Sequence, residues 1–112
     1  MYYYLYIDDI REDDTFYRSH MDMNQWEPIV VRNGWDAMDF IDAHSTDTIF
    51  VDLDYDLDCE SEIECAPTGL QVCMHIVNME LPLYGFHIHS ANRGGSELMR
   101  ELLTEHGYKE VF

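Results

Sequence analysis

Residues 48–57, TIFVDLDYDL, place Asp52, Asp54 and Asp56 on alternate positions behind an apolar start. Positions two apart share a face in an extended chain, so these carboxylates would crowd one side of a strand that begins as core. A second acidic group, Asp8 and Asp9, follows the aromatic run YYYLYI. Carboxylates that meet repel unless a proton or a cation lies between them. A hard divalent cation with oxygen ligands is the natural neutraliser, and magnesium takes one or two carboxylates plus waters and a phosphate.

A third cluster carries different chemistry. After YGFHIH come Ser90, Ala91 and Asn92, then Arg93, Gly94, Gly95 and Ser96 opening a helical pattern. Glycines before a helix let backbone N–H groups approach an anion, and the helix terminus favours negative charge. Arg93 is one of only six basic side chains. Ser90 and Asn92 can hydrogen-bond phosphate oxygens, and His89 can give or take a proton near neutral pH. His87 shares the strand face of His89 but is secondary, because a metal-binding His-x-His wants further imidazole or thiolate donors. The plain structural alternatives are aspartates that cap strands, a histidine satisfied by backbone, and glycines in a tight turn.

These clusters matter only if the fold joins them. Residues 2–7 read as a β-strand, and 9–20, polar with Ile10, Phe16 and Tyr17, as a weak helix or a mixed loop and helix. PIVV (28–31) is a short strand, and Asn33 caps a helix with Trp35, Met38 and Ile41 inward. The TIFV strand leads into the acidic loop DCESEIECAP, and a T-x-x-Q capping box starts a helix at Thr68. Residues 84–89 make a fourth strand. GGSELMRELLTEHG makes a helix with Leu98, Met99, Leu102 and Leu103 inward and Gly107 as its C-cap, and YKEVF a fifth strand.

That order, (βα)₄β, implies an α/β fold with a parallel sheet covered on both faces. The expectation is a flavodoxin-like three-layer α/β/α domain over residues 1–112, with five strands in the order 2-1-3-4-5. Ligands of such sheets bind beyond the carboxyl ends of the strands, at the switch point between strands 1 and 3. Both acidic groups emerge there, and the His89 turn ends strand 4 on the same rim.

Composition sets outer bounds. A chain of 112 residues with 46% apolar and 13% aromatic content can build a core without staples. Six basic against 23 acidic residues give −17, which repels membrane surfaces and makes duplex DNA an unfavourable partner. No apolar run reaches membrane-spanning length, and MYYYLYIDDI lacks the basic start of a secretory signal, so a cytoplasmic location is the simplest reading. Cys59, Cys65 and Cys73 form no CxxC pair; free thiols are the simple reading, and zinc on Cys59, Cys65 and a histidine the sharper one.

With these residues assembled, the chain resembles a response-regulator receiver domain and, more narrowly, the cyclic-phosphate-processing receiver-like family. The likeness is carried by IDDIR with Asp8, Asp9 and Arg11; by DYDL with Asp54, Asp56 and Leu57; by Thr68-Gly69; and by His89-Ser90-Ala91-Asn92 with Gly95 and Met99. Tyr55 stands where the family pattern has histidine, and Asp52 is extra, so either Asp52 or Asp54 can be the strand-3 site residue; the LDYDL pattern favours Asp54.

The resemblance implies a metal-dependent phosphoesterase acting on cyclic phosphates of a nucleotide or RNA end, with links to RNA repair. Asp54, His89 and Ser90 would be catalytic. Asp8, Asp9, Asp54 and Asp56 would hold magnesium or manganese, and Asn92, Arg93, Gly94, Gly95 and Thr68 would hold the phosphate. Two other readings stand beside it. One is an acidic decoy, DNA-mimicking in charge, that blocks a basic partner. The other is a degenerate receiver, since receivers use a lysine ending strand 5 and the late Lys109 lies inside the last strand without a following proline.

Overall fold

The computed structural model describes residues 1–9, 24–57 and 67–111. The helix expected within 9–20, Arg11, the acidic loop and the Cys59–Cys65 zinc reading therefore fall outside the described residues, the loop apart from its final proline. Seven elements follow one another: β1 (Tyr2–Ile7), β2 (Trp26–Val31), α1 (Gly34–Ala43), β3 (Thr48–Leu53), α2 (Gly69–Asn78), β4 (Gly85–Ile88) and α3 (Arg93–Glu105). The strands are all parallel, in the order β2-β1-β3-β4. This is the receiver-like α/β arrangement.

Strand alternation divides the core. Leu5, Ile7, Val51 and Leu53 lie on one face, in a cluster with Ala37 and Ile41 of α1, Val72 and Ile76 of α2, and Met99 and Leu103 of α3. Burying each such side chain stabilises the fold by about 1.5–3 kcal/mol. Tyr4, Tyr6, Trp26 and Phe50 form a second buried cluster, and the register sets Tyr6 beside Asp52 on that aromatic side.

The helix starts follow their caps. Asn33 Oδ1 accepts from the Asp36 N–H at 2.8 Å. At Thr68 the capping box is complete, with the Thr68 N–H donating to Gln71 Oε1 at 2.8 Å and the Gln71 N–H to Thr68 Oγ1 at 3.4 Å. Gly34 is buried against Pro67, where a side chain would overlap the proline carbonyl. That contact turns Gly34, Ala37 and Ile41 inward and leaves Trp35, one position off the stripe, 52% exposed. In α3 the inward line runs through Gly95, Ser96, Met99 and Leu103, so Leu98 also faces out.

The sheet has four strands rather than five among the described residues. YKEVF reaches the place of a fifth strand but makes one isolated parallel bridge, Phe86 to Glu110. Phe86 N–H donates to the Lys109 carbonyl at 3.0 Å, and Val111 N–H donates to the Phe86 carbonyl at 2.8 Å. Glu110 is drawn toward α3 instead, where Arg100 Nε donates to both its oxygens at 2.9 and 3.0 Å. Among the described residues no helix is long and apolar enough to cross a membrane.

Candidate functional site

Three strand ends build the site. Asp8 follows β1, and its N–H still bonds the Val31 carbonyl of β2 at 3.2 Å. Asp54 follows β3. His89 follows β4, with its N–H donated to the Leu53 carbonyl at 3.0 Å, so the ladder fixes it beside the end of β3. Asp8, Asp54 and His89 each offer a ligand atom, and these atoms lie within 4.8 Å of one another. This group could hold a metal ion.

The imidazole is clamped. Its Nε2 lies 3.0 Å from Asp8 Oδ2, and its Nδ1 is hydrogen-bonded to Asp52 Oδ1. The ring stacks on Tyr6 with centroids 4.7 Å apart and planes 17° from parallel. Tyr6 OH approaches Asp8 Oδ2 at 3.4 Å, and Arg32 Nη1 donates to the Asp8 carbonyl at 3.2 Å. Asp52 is wholly buried, and its other oxygen accepts from Tyr4 OH. Burial alone would lower the His89 pKa; the Asp52 hydrogen bond and charge, the Asp54 charge and the Asp8 bond together hold it above the usual value.

The Asp54 pKa is raised as well, which for an acid disfavours the charged form. Desolvation raises its pKa most, the Asp8 and Asp9 charges raise it further, and the Ser90 hydroxyl and His89 only partly offset them. Burial, more than the neighbouring charges, therefore disfavours the ionised Asp54 carboxyl. Two carboxylates and an imidazole are a donor set that fits a divalent ion.

The remaining sequence candidates divide. Ser90 joins the group through its bond to Asp54, and Ser90 Oγ accepts from the Asn92 N–H at 3.1 Å. Asn92 caps α3, its Oδ1 accepting from the Gly95 N–H at 2.9 Å. Gly95 is buried under the Tyr55 ring, which a side chain there would strike, so its amide and Cα already have structural partners. Gly94 and Arg93 are exposed at the start of α3. Asp9 is half-buried and near enough to act on Asp54. Asp56 is exposed, 3.5 Å from Asn92 Nδ2, and lies outside the three-residue group. Thr68 serves its cap, and Gly69 beside it packs on the Asp54 backbone. His87 pairs in register with Asp52 inside the sheet.

Sequence reasoning missed Tyr6 and Asp52 as partners of the histidine and Tyr4 as the partner of Asp52. The available signal was parity: Tyr4 and Tyr6 share a strand face, and the parallel register brings Asp52 onto it.

Comparison with known proteins gives a family and a fold likeness. The model of a family described as "Cyclic-phosphate processing Receiver domain" matches residues 3–105. A similar solved structure is the signal receiver domain of a protein described as a Luxo repressor, from Vibrio parahaemolyticus. It is 21% identical with a TM-score of 0.66, over 96% of this chain and 74% of that one, a likeness of fold. No curated protein matches significantly.

Proposed function

We propose, from the premise that this chain belongs to the cyclic-phosphate processing receiver domain family, that the rim of β1, β3 and β4 binds and processes a cyclic or terminal phosphate of a nucleotide or RNA end. The observation that carries this reading is the convergence of Asp8, Asp54 and His89 within 4.8 Å. A divalent cation, magnesium or manganese, on Asp8 and Asp54 with Asp9 beside them would polarise the phosphate and activate water. His89, whose pKa the flanking carboxylates raise, would supply a proton from Nε2. Opening a cyclic phosphodiester adds a water oxygen to phosphorus, breaks one P–O bond and needs that proton on the leaving oxygen. Ser90, the Asn92 side-chain amide and the Arg93 and Gly94 N–H groups opening α3 orient the anion, and the Arg93 side chain offsets its charge at the exposed edge.

The test incubates the protein with 2′,3′-cyclic nucleotides and cyclic di- and trinucleotides in magnesium or manganese. Hydrolysis is expected, reduced roughly 100-fold or more by Asp54→Asn and by His89→Ala. Neither turnover nor metal-dependent binding across that panel would remove the reading.

A further inference from the structure

We infer that Asp52 and Tyr4 are positioning residues, a buried carboxylate–phenol pair that sets which ring nitrogen His89 presents to the rim. The inference rests on the proton-donor role given to His89 above. Asp52 is the penultimate residue of β3, flanked by Val51 and Leu53, with no exposure to solvent. An apolar residue would satisfy the packing there, and a buried carboxylate costs several kcal/mol, roughly, unless its oxygens are bonded. Each oxygen has a partner: Tyr4 OH donates to Oδ2, and His89 Nδ1 meets Oδ1.

The consequence lies at the imidazole. A histidine at a strand end can rotate and can carry its single neutral-form proton on either nitrogen. The Tyr6 stack fixes the ring plane. Asp52 anchors the ring, because its buried carboxylate accepts from the Nδ1–H and so turns the other nitrogen outward. The nitrogen presented to the rim is then Nε2, the one 3.0 Å from Asp8. Tyr4 in turn holds Asp52 in the orientation that faces the ring, and it stacks on Phe50 with centroids 5.0 Å apart. Neither Asp52 nor Tyr4 reaches the rim, so both act through His89.

The experiment compares wild type, Asp52→Asn and Tyr4→Phe by ¹⁵N NMR of the histidine side chains in the full chain. Wild-type His89 is expected to keep Nδ1 protonated. Asp52→Asn, which removes the charge that holds the Nδ1–H, shifts the ring-nitrogen resonances, and Tyr4→Phe, which preserves the stacked ring, shifts them the same way by less. Turnover of a cyclic phosphate should show kcat lowered roughly 10- to 100-fold in Asp52→Asn, with KM nearly constant. Unchanged His89 nitrogens in Asp52→Asn overturn the inference; if that variant does not fold, unchanged nitrogens in Tyr4→Phe do so. A raised KM with wild-type kcat also overturns it. An inactive wild type with the expected resonance pattern would remove the phosphate reading and support the positioning.

Discussion

His89 is the residue on which the most forces converge. An aromatic ring covers one face, a carboxylate meets each nitrogen, and only 12% of the side chain remains exposed. Burial ordinarily lowers an imidazole's pKa; here the acids outweigh desolvation and raise it. The folded chain therefore binds more protons than the unfolded one as pH rises past the ordinary histidine value of 6.5. Stability from this cage is fully present below that value and is lost as pH climbs through the higher folded-state value. Urea midpoints from about pH 6 to about pH 9 should decline in wild type, and His89→Gln should remove that part of the decline. A wild type and a His89→Gln variant with parallel profiles would mean the cage holds no extra proton. Cys73 marks the contrasting case: burial without a charged partner pushes its thiol up to about 12, so it should resist alkylation until the protein unfolds.

At the scale of elements, the start of α2 packs on the backbone just after β3, and the junction is tight. The Gly69 N–H donates to the Tyr55 carbonyl at 2.9 Å. A Cβ on Gly69 would overlap the Asp54 carbonyl oxygen and meet the Met99 sulfur at 2.9 Å. Because the obstructing oxygen is main chain, it cannot swing aside. Gly69→Ala should destabilise by about 1–3 kcal/mol and displace Asp54 from its partners. Gly94→Ala meets nothing nearer than Asn92 Oδ1 at 3.8 Å and should be neutral or slightly stabilising. Urea denaturation of the two variants separates a junction that pins the rim from a general intolerance of side chains near α3. The order of elements and the cap at Thr68 were legible in the sequence because periodicity and capping chemistry are local. Trp35 and Leu98 were misread because apolar type does not guarantee burial, and a packed glycine, not the largest side chain, chose each inward line. The meeting of Asp8, Asp54 and His89 followed from topology. The split between Asp52 and Asp54 did not, because it depends on the strand ending at Leu53: one aspartate falls inside the sheet and the other, two residues on, outside it.

Across the whole molecule, 23 acidic residues against 6 basic ones give −17, and this self-repulsion opposes the compact state. Any salt should raise stability by screening, since the Debye length falls from about 10 Å at 0.1 M to about 3 Å at 1 M. A divalent ion held on the rim adds a separate, saturable effect, because it relieves the Asp8–Asp54 repulsion directly. At about ten times its dissociation constant such an ion stabilises by about 1.4 kcal/mol, which for a chain of this size raises Tm by about 6 °C. Manganese or magnesium should therefore exceed sodium chloride at matched ionic strength. Asp54→Asn, at −16, should lose that excess while keeping the response to sodium. Without metal the same variant should be the more stable chain, because it removes a carboxyl whose ionisation folding opposes. Opposite signs of one substitution in the two media are the signature of a site; equal shifts by both salts in both chains would reduce the acidic rim to part of a diffuse field.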